Sequence, residues 1–166
     1  MRCAAAAKGS AATPKKTAAQ SLPDAPRTGK WSAVVCSAEW LLNNWQNEAF
    51  AEQLRERSRY YQERGWERDF FIVPNPTFLA EQFPDLAKRV RQPSVAVVSS
   101  DPIWINFMKL RLDRVAKVEI GDDKAKALAS NDESLPDYDG NAEDMKRNVP
   151  YGRYRAGWWK SFYPSA

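Results

Sequence analysis

Histidine is absent from all 166 residues. That removes the imidazole general base, the Ser–His and Cys–His nucleophile pairs, and the histidine metal ligand at once. Cysteine occurs only at Cys3 and Cys36, too few for a disulfide framework, and a reducing compartment is the simpler reading. A zinc or iron site would need carboxylates and one cysteine, and no spacing supports one. Glycine occurs seven times, without a phosphate-cradling loop motif. No apolar run reaches the roughly 18 residues that span a bilayer. The composition points away from catalysis, and no cofactor or metal is expected.

Positive charge is plentiful but unevenly placed. Against Asp24, residues 1–30 hold Arg2, Lys8, Lys15, Lys16, Arg27 and Lys30, which leaves residues 31–166 at −1 out of a total of +4. The basicity belongs to the leader, and the electrostatic case for a nucleic-acid binder largely disappears. Rich in alanine, serine and threonine and poor in acids, the leader fits an organellar transit peptide, chloroplast or mitochondrial, or a disordered arm. Residues 31–120 are balanced, with 12 basic and 12 acidic residues. Residues 121–147 form an acidic connector expected to be solvated and poorly ordered. Residues 148–166 form a tail that brings Tyr151, Tyr154, Trp158, Trp159, Phe162 and Tyr163 together with Arg153, Arg155 and Lys160. Such a segment folds back on its own sheet, docks on a partner, or lies at a membrane interface.

Strands are predicted at Trp31–Ala38, Asp69–Val73, Ser94–Ser99 and Val115–Ile120, the last with one wet face. A short amphipathic stretch covers Glu39–Trp45. Helices are predicted at Asn47–Gly65, with Asn47 as cap and Arg59 paired to Glu63, at Thr77–Val90 with a break near Pro84, and from Pro102 to about Arg114, capped by Ser100 or Asp101. The order gives an α+β domain with a four-stranded, largely antiparallel sheet packed with helices.

On a helical wheel, the apolar residues of 103–112 cover an arc of about 220°, wider than burial against one sheet requires. Arg111 falls inside that arc between Phe107 and Trp104. A guanidinium there pairs with a nearby carboxylate, for which Asp69 is the candidate, or emerges where a partner covers it. Arginine and aromatic residues are the usual interface anchors, so Arg111 and Trp104 are candidate partner-binding residues. Asp69-Phe70-Phe71 is ambiguous, because one of two adjacent phenylalanines must face away from the core side.

Three segments carry a resemblance: RERSRYYQERGWERDFFIVPNPTFL, SVAVVSSDPIWINFMKLRLDRV and YRAGWWKSFYP. Over residues 31–120 and 148–164 the chain resembles the low-chlorophyll-accumulation A proteins of plants and algae and their cyanobacterial relatives. These are accessory factors of the aerobic magnesium-protoporphyrin IX monomethyl ester cyclase. The resemblance implies a non-catalytic factor that binds the membrane-associated di-iron cyclase subunit, supports its assembly or stability, and so sustains protochlorophyllide formation. It implies that the metal belongs to the partner, that Asp69, Phe70 and Arg111 contribute to the interacting surface, and that other chlorophyll-biosynthesis enzymes are further possible partners. For the leader it selects the chloroplast, with the mature protein in the stroma and peripheral to thylakoid or envelope membranes through its partner. A competing reading is a module that binds a tetrapyrrole intermediate on exposed aromatics, although the central magnesium would then lack its commonest protein ligand. An RNA-binding α+β domain is disfavoured by the charge.

Overall fold

The computed structural model describes residues 28–44, 47–139 and 157–164. The leader reading at residues 1–27 and the readings at Tyr151, Arg153, Tyr154 and Arg155 lie outside the described residues. Four strands, β1 (Trp31–Ser37), β2 (Phe70–Pro74), β3 (Ser94–Ser99) and β4 (Ala116–Gly121), form one sheet in the order β2-β3-β1-β4. Every pairing is antiparallel, with Val34 opposite Val97 and Phe71 opposite Val98. The helices, in chain order, are α1 (Ala38–Leu42), α2 (Glu48–Arg64), α3 (Thr77–Gln82), α4 (Pro84–Arg89), α5 (Pro102–Arg111) and α6 (Lys124–Leu128). A 3-10 turn, Trp158–Phe162, packs against β2.

Both faces of the sheet are covered, which explains why β1 and β3 read as near-continuous apolar runs rather than alternating ones. Val34, Cys36, Phe70, Ile72, Val95 and Val97 face a core shared with α1, α2, α5 and the 3-10 turn. Ala33, Val35, Phe71, Val73, Ala96 and Val98 face a second core under α3, α4 and α6. Phe70 and Phe71 therefore both find a core, one on each side. At the β4 edge the alternation survives, with Val118 buried and Glu119 exposed.

Local chemistry sets the helix ends. Gly65, at φ +68°, closes α2 in the left-handed conformation, and the Trp66 N–H returns to the Tyr61 carbonyl. Asn47 sits at the start of α2 but does not cap it with its side chain. Its amide donates instead to the Trp40 and Leu41 carbonyls at 2.9 and 3.4 Å, tying α2 to α1. Arg59 pairs with Glu56 rather than Glu63. Pro84 divides the expected 77–90 helix into α3 and α4 by occupying the first turn of the second.

In the C-terminal third one expectation changes and one alternative is selected. In its described part, residues 121–139, the acidic stretch is not a bare connector. Asp123 caps α6, Ala127 is wholly buried, and the Thr77 and Asn131 N–H groups donate to the Ala129 and Asn75 carbonyls respectively. Apolar residues spaced a few positions apart (Ala127, Leu135, Tyr138) anchor it despite its charge. Of the three readings of the tail, the first holds for its described part. Trp159, Phe162 and Tyr163 are buried, Phe162 lies 6.3 Å from the Phe70 ring, and Trp158 meets Phe50 edge-on at 5.8 Å. Arg68 clamps the turn by donating to the Ser161 and Tyr163 carbonyls at 2.9 and 3.0 Å while lying over Phe71.

Replacing a fully buried tryptophan leaves a cavity, so Trp159→Ala should lower unfolding stability by about 3–5 kcal/mol in urea titrations. A loss under about 1 kcal/mol would mean the turn is not part of the core. Burial pushes the Cys36 thiol up to about 12, so iodoacetamide at pH 8 should label Cys36 only after unfolding; peptide mapping of the native protein reads this directly.

Candidate functional site

The junction between β3 and α5 is built from polar groups held in an apolar setting. Asp101 accepts from the Ile103 and Trp104 backbone N–H groups through Oδ1, at 3.0 and 3.1 Å, and so caps α5. Its Oδ2 accepts from Arg57 Nη2 at 2.8 Å. The same Arg57 nitrogen donates to the Tyr61 hydroxyl at 2.9 Å. The guanidinium lies over three rings, Trp104 at 4.4 Å, Tyr61 at 5.0 Å and Phe70 at 5.4 Å. Desolvated cation–π contacts of this kind contribute about 2 kcal/mol. Asp69 lies alongside, accepting from Ser100 Oγ at 2.8 Å, while Asp101 N–H donates to Ser99 Oγ at 3.0 Å. Burial raises the Tyr61 hydroxyl well above its ordinary value; Arg57 pulls it back, and Asp69 and Asp101 push it further up. It stays protonated throughout the physiological range.

This junction fixes how α5 presents itself. The wide apolar arc divides in two. Trp104, Ile105 and Met108, with Leu112 just past the helix, turn into the core. Ile103, Phe107 and Leu110 remain 76%, 47% and 85% exposed on the opposite side. The polar flank is used internally: Lys109 donates to the Val115 carbonyl at 2.7 Å, and Lys117 donates to Asn106 at 2.7 Å. What α5 offers outward is an apolar ridge with Arg111 at its side. Between α2 and α5 runs a groove of about 490 Å³, lined by Ala49, Glu52, Gln53 and Glu56 on one wall and Trp104, Phe107 and Arg111 on the other. A second concavity, about 820 Å³, lies where β1 ends and β4 begins, beside Trp40, Arg89, Arg91 and Arg114. Among the described residues no group of three or more His, Cys, Asp or Glu could hold a metal ion, and no helix is long and apolar enough to cross a membrane.

The four candidate residues separate by depth. Arg111 is exposed and lines the groove, and Trp104 lines the same wall while only 8% exposed. Asp69 and Phe70 are 4% and 0% exposed, so they lie beneath the surface on which they were expected and not on it. Asp69 does not pair with Arg111, which makes no ion pair with any described residue. The arginine held among aromatics is Arg57, which reads in sequence as one of several charges on a solvated helix. Its spacing carries the missed signal: Phe50, Leu54, Arg57 and Tyr61 fall at i, i+4, i+7 and i+11, the buried stripe of α2.

The model of the Ycf54 protein family matches residues 30–121, and the chain belongs to that family. The matched span contains the whole sheet, the Arg57–Asp101 junction and α5; the segment after Gly121 and the tail lie beyond it. The chain is 41% identical over 138 residues to the chloroplastic YCF54 protein of Arabidopsis thaliana, covering 81% of this chain and 61% of that one. It thus spans about three fifths of that relative's length. Among solved structures, it is similar to the All0216 protein from Nostoc sp. PCC 7120, with 36% identity and a TM-score of 0.55, over 62% of this chain and 96% of that one. The Ycf54 protein from Thermosynechococcus elongatus gives 32% identity and a TM-score of 0.55, over 64% and 98%.

Removing one member of a buried ion pair strands the other charge, so Arg57→Ala and Asp101→Ala should each lose about 3–5 kcal/mol of stability. Arg111→Ala, on the exposed side, should stay within about 0.5 kcal/mol of the parent. Urea unfolding of the three variants decides the assignment, and the reverse ranking would place the structural arginine at 111.

Proposed function

With membership of the Ycf54 family as premise, we propose that this chain is a non-catalytic assembly or stability factor for the di-iron subunit of the aerobic magnesium-protoporphyrin IX monomethyl ester cyclase. In this reading it acts in the chloroplast stroma, at membranes that it reaches through its partner, and sustains protochlorophyllide formation. The observation that carries the proposal is the ridge of Ile103, Phe107 and Leu110 beside Arg111. A charged chain of this size does not ordinarily leave three large apolar side chains adjacent on one rigid helix without a partner to cover them. Arginine and aromatic anchors next to an apolar ridge are the residue types that dominate binding energy. The composition of the leader and the chloroplastic relative support the compartment. Asp69 and Phe70 belong to the function as the floor under α5, because they hold Ser100 and the Arg57 guanidinium in place.

Tagged protein incubated with solubilised chloroplast membranes should recover the di-iron cyclase subunit. Ile103→Asp with Leu110→Asp should lower recovery tenfold or more while leaving the unfolding midpoint unchanged, and Arg111→Ala should lower it severalfold. Undiminished recovery by these folded variants would remove α5 from the docking surface.

A further inference from the structure

The groove beside the ridge has a shape and charge that specify what enters it. Its α2 wall is Ala49, Glu52, Gln53 and Glu56, spaced i, i+3, i+4 and i+7. Its α5 wall is Trp104, Phe107 and Arg111, spaced i, i+3 and i+7. Each wall is therefore two helical turns long, about 10 Å at 1.5 Å per residue. Away from their end turns the backbone groups of both helices are consumed within the helices, so an extended peptide would find no continuous ladder to join and would leave most of its own N–H and C=O groups unpaired. A helix arrives with its backbone already satisfied and can lay an apolar stripe between the two walls.

The polar groups refine the identity of that helix. Glu52 and Glu56 stand on one wall, each paired among the described residues with an arginine of its own helix, the first pair half-buried and the second exposed. Such pairs contribute little and are readily exchanged for a partner's cation. Arg111 stands on the other wall with its guanidinium unpaired among the described residues.

We propose that the groove between α2 and α5 receives an amphipathic helix of the partner protein, about two to three turns long. That helix carries apolar residues at i, i+3 or i+4, and i+7 against Ala49, Trp104 and Phe107. It sets a lysine or arginine toward Glu52 and Glu56 and an acidic residue toward Arg111. The inference rests on the docking reading above and adds the kind of segment that docks. The two glutamates argue against an anionic lipid surface as the occupant, since its headgroups would be repelled.

The test uses the full chain with a photo-cross-linking residue (Ala49→benzoylphenylalanine) and the charge-reversed double variant Glu52→Arg with Glu56→Arg, both checked for an unchanged unfolding midpoint. Solubilised chloroplast membranes are the source of partner. The expected result is a cross-link from position 49 to one segment of the di-iron cyclase subunit whose sequence has helical apolar spacing and a basic residue. Charge reversal should reduce capture of that subunit tenfold or more. A cross-link to a second copy of this chain, or capture on anionic phosphatidylglycerol vesicles that survives the ridge substitutions, overturns the proposal. If Ile103→Asp with Leu110→Asp abolishes capture while the charge-reversed variant binds as well as the parent, the groove is not the helix site and docking through the ridge stands. If neither set of substitutions diminishes capture, both fall.

Discussion

The Arg57–Asp101 pair is the contact on which the functional side of the molecule is built. It joins the middle of α2 to the first turn of α5, and it does so in a setting where neither charge can be left alone. Asp101 serves the pair and the helix cap with different oxygens. The orientation of α5 and the placement of Arg57 are consequently one decision rather than two. Tyr61, Phe70 and Trp104 form the walls of the box from three separate elements, α2, β2 and α5. A hydrophobic contact would let these elements slide by a fraction of a turn; a directional hydrogen bond inside three aromatic faces does not. The ridge of Ile103, Phe107 and Leu110 is presented at a fixed angle as a result.

A sheet covered on both faces supplies the platform for that lock. The second core under α3, α4 and α6 touches none of the candidate residues, yet it lets β1 and β3 be apolar throughout and so keeps β2 and its Phe70 in register with Ser99. The 3-10 turn finishes the first core. Phe162 meets Phe70 on β2, and Trp158 meets Phe50 on α2, so the turn braces two of the elements that form the box around Arg57. Its aromatics are structural in their described part, which removes the need for a membrane or partner to cover them.

Most of the architecture was legible in the sequence. The four strands fall within a residue or two of their expected ends, because β-branched and aromatic runs bounded by Pro, Ser and Asp have few other readings. The excessive apolar arc of α5 was legible too, and its division into buried and exposed halves follows from the sheet covering only one side. What stayed hidden depends on contacts distant in sequence. Arg57 and Asp101 are separated by 44 positions, and nothing local distinguishes Arg57 from Arg55 and Arg59 except its place on the buried stripe. The pairing of Asp69 with Arg111 failed for the complementary reason: charge and hydropathy identified two residues that want partners, but not which one faces the other. The acidic stretch after β4 misled because charge counting overlooks a single alanine or tyrosine that docks.

Depth separates two ways of contributing to one interface. Arg111 and the ridge would touch a partner, whereas Asp69, Phe70, Arg57 and Asp101 would act by holding α5 where it is. Substitutions in either group would weaken capture of a partner, so a binding assay alone would draw one continuous surface that includes buried residues. Stability distinguishes them, since the supporting residues are wholly or mostly enclosed and the touching residues are not. A candidate site inferred from residue identity alone therefore merges a surface with its foundation. In this molecule the foundation is the Arg57 box, and the surface is one face of a ten-residue helix standing on it.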